Sequence, residues 1–183
     1  MGNMSKIFIS WSKNKSEELA KLTKHTLEEL LPSTNFFMSD EDIQAGDCVQ
    51  NTIMHQIEQC DILILCFTSD NKKSPWLLYE AGYASGLHKR VIPILFDKDS
   101  SWHSWIDNPM NVSKEIDFCK DSFDADFIEA FSLTKSSNTD SRIRSYIEKV
   151  NEIREKYRPT DIHCDDIIEK LISVDKFTIT SPY

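Results

Sequence analysis

Apolar positions along the chain change period several times, and each change marks an element. Lys6 to Trp11 (KIFISW) is a run of strand length, closed by the polar group Ser12-Lys13-Asn14-Lys15. Leu19, Leu22, Leu27, Leu30 and Leu31 then recur at roughly three- and four-residue steps, which predicts an amphipathic helix capped by Ser16 and ended by Pro32. Phe36 to Met38 reads as a short second strand, and Ser39 to Gly46 (SDEDIQAG) as an acidic loop. Asp47 with Gln50 resembles a capping box that opens a helix with Val49, Ile53 and Ile57 on one face. Ile62 to Phe67 is an unbroken apolar run, as expected of a parallel strand covered on both faces. Ser74 offers an N-cap and Pro75 a first helical position for a helix reaching His88. Val91 to Phe96 predicts the next strand, although Pro93 has no amide to give a ladder and favours an edge or a strand start.

Beyond Phe96 the pattern weakens. Asp97 to Asn111 holds Trp102, Trp105 and Pro109 without periodicity, and Phe118 to Leu133 suits a last strand or a short helix. Ser136 to Asp140 reads as a turn or linker. Ile143, Tyr146, Ile147, Val150, Ile153 and Tyr157 trace a helical stripe that stops before Pro159, and Asp161 opens a final helix with Ile162, Ile167, Ile168 and Leu171. The stripe is expected to pack on the domain, with a self-association face as the alternative.

Strands alternating with amphipathic helices imply right-handed crossovers and a mostly parallel sheet with helices on both faces. With the short second strand at an edge, the strand order is 2-1-3-4-5, a flavodoxin-like α/β fold. Residues 1–135 are expected to form this domain and 136–183 a C-terminal helical extension packed on it.

Composition narrows the function classes. The chain has 183 residues, 40% hydrophobic and 28% charged, enough for one domain with a real core. No apolar run approaches the roughly 20 residues that span a bilayer, and MGNMSKIFIS lacks the basic-then-apolar layout of a secretory signal. A cytoplasmic protein without membrane contact is the expectation. The net charge of −9 disfavours nucleic acid as a partner but leaves room for a small anionic ligand received by local lysines. Cys48, Cys60, Cys66, Cys119 and Cys164 are odd in number, widely spaced and without a C-x-x-C, which argues against a disulfide framework and against a metal site. No G-x-G-x-x-G follows the first strand, which argues against dinucleotide reduction.

The strand order also predicts where a ligand sits. Its switch point lies between strands 1 and 3, and ligands favour the crevice at their carboxyl ends. Trp11 and Ser12 leave strand 1 there, and Thr68 through Glu80 leave strand 3. Trp76 and Glu80 are four apart, one turn along a single helix face. A carboxylate beside an indole suits a cationic ligand. The plain alternative is a core tryptophan and a solvated glutamate.

Three blocks in order, KIFISWS, SDEDIQAGD and CDILILCFTSDNKKSPWLLYEAGYA, together resemble a Toll/interleukin-1 receptor (TIR) domain of the bacterial type, over residues 5 to 97. The resemblance implies cleavage of NAD at the nicotinamide–ribose bond, with Glu80 at the position of the family's essential glutamate. NAD would be the substrate, and no cofactor is implied. Nicotinamide leaves as a neutral base without a general acid, and a carboxylate near the ribose can stabilise the oxocarbenium character that develops. The expected substrate-binding set is Ser10, Trp11, Ser12, Lys13, Lys72, Trp76 and Tyr79. Trp11 and Trp76 offer ring faces, and one or two of Lys13, Lys15, Lys72 and Lys73 would neutralise the pyrophosphate, the alternative being solubilising loop lysines.

The family also implies self-association, with a neighbour's second-strand loop completing the site; Asp40, Asp42, Ile43 and Gly46 are the residues to reach across. A role in anti-phage defence follows from the resemblance, through NAD depletion or through an ADP-ribose-type signal read by a downstream effector. Two alternatives stand beside it. YEAGYASGLHKRVIPIL also resembles nucleoside deoxyribosyltransferases, which would use the same Glu80, and many TIR domains are non-catalytic interaction modules.

Overall fold

The structure, a computed structural model, describes residues 5–38, 49–97 and 114–158. In chain order its elements are β1 (Lys6–Ser10), α1 (Asn14–Leu30), β2 (Asn35–Met38), α2 (Val49–Gln59), β3 (Ile62–Phe67), α3 (Pro75–Gly86), β4 (Arg90–Leu95), β5 (Ile116–Asp117), α4 (Phe123–Ala130) and α5 (Ser137–Lys156). The strands form a sheet of order β2-β1-β3-β4-β5 in which every pairing is parallel. This is the flavodoxin-like arrangement that the alternation of strands and helices predicts.

Strand side chains alternate between two cores. Ile7, Ile9, Ile64, Cys66, Ile92 and Ile94 face α1, α4 and α5, where they meet Leu19, Leu27, Phe127 and Tyr146. Phe8, Leu63, Leu65, Phe67, Val91 and Leu95 face α2 and α3, against Ile53, Ile57, Leu77 and Ala81. The unbroken apolar run of β3 is explained by this double burial. Ile143, Tyr146 and Val150 of the long helical stripe enter the first core, and the Tyr146 hydroxyl meets Thr23 Oγ1 at 2.8 Å.

Several local expectations change. Ser16 is not the cap of α1: the helix begins at Asn14, and Ser16 Oγ reaches back to accept the Ser12 amide at 2.9 Å. Ser74 does precede Pro75, but its hydroxyl makes no capping bond and turns instead to Ser12. The helix α3 stops at Gly86 rather than His88, because His88 turns to φ 57 and the Lys89 amide closes on the Ala84 carbonyl at 2.9 Å. Residues 136–140 are not a linker: Ser136 caps α5 by accepting from the Thr139 amide at 3.1 Å.

Pro93 lies inside β4, and the ladder explains why this costs nothing. Arg90 and Phe96 donate towards the β3 side, to Asp61 and Phe67, whereas the Leu95 carbonyl accepts from Phe118 on the β5 side. The nitrogen of Pro93 therefore points to the β5 side, and β5 pairs only from Ile94 onward. The capping box at Asp47, the region around Trp102 and Trp105, and the helix opened by Asp161 lie outside the described residues. No helix among the described residues is long and apolar enough to cross a membrane.

Candidate active site

Glu80 lies on α3, one helical turn past Trp76, and is 1% exposed. The buried face of α3 is set by Leu77, Ala81 and Ala84, and Glu80 falls among them instead of on the solvent side. The solvated-glutamate reading is thereby removed. Ser10, the last residue of β1, points to the same face and donates its hydroxyl to Glu80 Oε2. Burial pushes the Glu80 carboxyl up to about 7, and hydrogen bonds from Ser10 and Trp76 only partly oppose it. No cation among the described residues pairs with it. The group is therefore poised between its two protonation states at neutral pH, and a cationic ligand would favour the charged one.

The alternation of β1 separates the expected binding residues. Ser10 faces α2 and α3, and the next residue, Trp11, packs against the core beneath α1 and α5. Trp76 packs against the opposite core. The two tryptophans therefore pack on different faces of the sheet. Beside Trp76, Tyr79 stacks at 6.0 Å between centroids and is 42% exposed, and Tyr83 continues the row at 6.4 Å. Tyr79 thus joins Trp76 in a short aromatic row.

The lysines divide. Lys15 sits in the first turn of α1, 7% exposed, and pairs with Asp97 at 2.8 Å. It is committed to that carboxylate, so the expectation that it serves as a loop lysine for a pyrophosphate is overturned. Lys13 is exposed and donates to the Asp70 carbonyl, bridging the loops after β1 and β3. Lys72 is half-buried and Lys73 exposed on the loop after β3. Asp40, Asp42, Ile43 and Gly46 lie outside the described residues.

Sequence reasoning passed over Asn71 and Asp97. Asn71 is buried between the two loops, and Asp97 accepts from Lys15 and from the Ser69 amide at 2.8 Å. A polar T-S-D-N following an apolar strand was the available signal for the first, since asparagine side chains bond backbone groups a few residues away. A cleft of about 250 Å³ also opens between Arg90, Lys114, Asp126 and Glu129, but at the amino ends of β4 and β5. It shares no residue with the Glu80 site, and its Lys114 is already paired with Asp126 at 2.8 Å.

A family model described as a TIR domain matches residues 7–131. The chain belongs to the TIR-domain family. Among solved structures, this TIR domain is similar to a 2-desoxiribosyltransferase from Leishmania mexicana, at 17% identity and a TM-score of 0.52 over 70% of this chain and 97% of that one. It is also similar to the Clostridium botulinum CMP N-glycosidase BcmB, at 18% identity and a TM-score of 0.47 over 69% of this chain and 99% of the other. The TIR domains of the activated Roq1 resistosome match at 20% identity and a TM-score of 0.45, over 92% of this chain and 99% of theirs. Likeness at these identities concerns the fold alone. None of the curated proteins matches the sequence.

Proposed function

We propose that this TIR domain is an enzyme that cleaves NAD between nicotinamide and ribose, with Glu80 as the working carboxylate. The observation that carries the reading is a buried, charge-poor carboxylate at the switch-point crevice, held by Ser10 and Trp76. In NAD the ribose C1′ is bonded to a pyridinium nitrogen. When that bond breaks, its electron pair leaves with neutral nicotinamide and positive charge passes to the ribose. Glu80, ionised, stabilises that charge in a dry setting where it acts strongly, and Ser10 holds the carboxylate by its Oε2 edge. Water, a ribosyl hydroxyl or an adenine nitrogen then adds to C1′, giving ADP-ribose, a conjugate or a cyclic isomer. Trp76 and Tyr79 present ring faces for the pyridinium or the adenine. Lys13, Lys72 and Lys73 stand on the two loops and would meet the pyrophosphate.

Family membership supports the rest of the reading: a cytoplasmic protein that self-associates, the loop of Asp40, Asp42, Ile43 and Gly46 completing a neighbour's site, and a product that serves antiviral defence. The test is mass spectrometry of NAD incubated with concentrated protein, beside Glu80→Gln. Nicotinamide release that rises more steeply than protein concentration and is lost in the variant supports the enzyme and the shared site. No release at any concentration refutes NAD cleavage and leaves deoxyribosyl transfer or an interaction module.

The second reading is deoxyribosyl transfer between nucleobases. It draws on the same buried carboxylate, which can attack an uncharged nucleoside as readily as it can stabilise a ribosyl cation. Base exchange on deoxynucleosides without NAD loss would replace the first reading with this one.

A further inference from the structure

Two loops frame the crevice, one running from Trp11 to Lys13 after β1 and one from Thr68 to Ser74 after β3. Lys13, Ser74 and Asn71 each reach across from one to the other, and of these Asn71 is the buried one. Asn71 is 1% exposed, and its Oδ1 accepts the Thr68 amide at 2.8 Å, which fixes which end of the carboxamide is oxygen. Its Nδ2 donates to the Ser12 carbonyl at 2.9 Å, to Ser16 Oγ at 2.8 Å and to the Cys66 carbonyl at 3.0 Å. Ser74 Oγ adds a second rung, donating to Ser12 Oγ at 3.2 Å. Ser12 lies two residues past Ser10, and Ser74 two residues before Trp76. The donors that reach Glu80 thus come from two separate elements, β1 and α3, and the rungs tie the chain just beside each of them.

We propose that Asn71 is a positioning residue of the Glu80 site: by tying the loop after β1 to the loop after β3, it holds Ser10 and Trp76 where both reach the Glu80 carboxylate. The proposal rests on the reading of Glu80 as the working group. Asn71 itself touches no reacting atom. Its chemical type is demanded by its neighbours, since one end meets an N–H and the other meets two carbonyls. An aspartate would turn an acceptor against those carbonyls, and a serine would leave them bare in a buried place.

The test compares Asn71→Asp, Asn71→Ser and the milder Ser74→Ala with the unaltered protein in two readouts. The first is the titration of the Glu80 carboxyl by carbon NMR in the ligand-free protein, and the second is the kinetics of NAD cleavage. Because burial is the larger of the opposing influences on Glu80, loops that part and admit water move its midpoint down, by about one pH unit. The same displacement lowers kcat/KM for NAD by about tenfold or more. A merely structural asparagine would lower the melting temperature and leave both readouts unchanged in the folded variants, and that result overturns the proposal. Should both Asn71 variants fail to fold, Ser74→Ala decides, with a downward midpoint and roughly a threefold loss of kcat/KM expected and no change in either counting against the clamp. If the unaltered protein releases no nicotinamide, the functional reading fails, and the Glu80 titration still decides the clamp by itself.

Discussion

Glu80 and Asp97 are two carboxylates at the same end of one sheet, and they are treated in opposite ways. Asp97, 14% exposed in its side chain, accepts from Lys15 Nζ at 2.8 Å, from the Ser69 amide at 2.8 Å and from Ser69 Oγ at 3.0 Å, and Arg154 Nε stands 3.6 Å away. Burial would raise its carboxyl, but the Lys15 and Ser69 bonds outweigh it and hold Asp97 below the ordinary value. Glu80 is more deeply buried and receives, among the described residues, only a hydroxyl and an indole, so burial wins and lifts it to about 7. Depth alone does not set the charge state; the supply of donors does. Asp97 has what a structural carboxylate needs, because it fastens β4 to α1, to the loop after β3 and to α5. Glu80 has no counter-charge among the described residues, and a folded protein tolerates that where a ligand supplies one.

The largest effect that would sharpen the contrast is on turnover. Glu80→Gln keeps the shape and the bond from Ser10 while removing the charge, and NAD cleavage is expected to fall by about 10³-fold or more. A variant retaining a tenth of the activity would place Glu80 with Asp97 among structural groups. Next in size is Asp97→Asn, which leaves Lys15, 7% exposed, without its counter-charge and costs about 3 kcal/mol in urea denaturation. Adding Lys15→Met to Asp97→Asn should recover most of that loss, since the penalty belongs to the stranded ammonium. A cost below about 1 kcal/mol for Asp97→Asn alone would mean that the pair is solvated and the comparison breaks.

How far this contrast could be read from the sequence depends on the range of the forces involved. The strand order and the placing of Glu80 beside a crevice followed from local patterns: an unbroken Ile62–Phe67, the short Phe36–Met38, the four-residue step from Trp76. Which side of the sheet each group faces follows from alternation along β1, which turns Ser10 towards one core and Trp11 towards the other. Lys15–Asp97 and Asn71–Ser12 join residues 82 and 59 positions apart. No periodicity reports such pairs, because they depend on how the loops close over the ends of the strands. Ser16 and Ser74 show the same limit at short range: both looked like helix caps, and both are spent on contacts between the two loops.

The pH dependence of stability should show the two carboxylates pulling in opposite directions. Glu80 has a folded value of about 7 against an ordinary 4.5, so between those limits the native state holds a proton that the unfolded chain has given up. Stability must then fall as pH rises from about 4.5 to 7, by roughly 3 kcal/mol, and stay level above. Asp97, held below its ordinary 3.8, contributes stability that is present above that value and is lost as pH falls through its folded value. Glu80→Gln, compared with the unaltered protein in urea at pH 5 and pH 8, should thus be relatively stabilised at the higher pH. In the unaltered protein kcat/KM for NAD should rise about tenfold per pH unit below 7 and level off above it, since the ionised form does the work. A flat stability difference between pH 5 and pH 8 would show that Glu80 is solvated and ionised throughout.

The smallest effect probes the turn that serves both carboxylates. The segment from β1 to α1 sends Ser10 to Glu80 on one side of the sheet and Lys15 to Asp97 on the other, and between them Lys13 is held at φ 74 and ψ 154. Side chains resist that conformation by about 1–3 kcal/mol, whereas glycine adopts it freely. Lys13→Gly relieves the strain but gains chain entropy on unfolding and loses the bond to the Asp70 carbonyl, so the net stabilisation should be about 1 kcal/mol or less. Lys13→Ala loses the same bond and keeps the strain, so the gap between the two variants in urea denaturation isolates the backbone contribution. If kcat/KM falls further in Lys13→Gly than in Lys13→Ala, which lose the same cation, the strained turn is part of what holds Ser10 on Glu80, because relieving it frees the end of β1. If stability rises and kcat/KM matches that of Lys13→Ala, the strain serves the Lys15–Asp97 side alone, and the two carboxylates are positioned independently of each other.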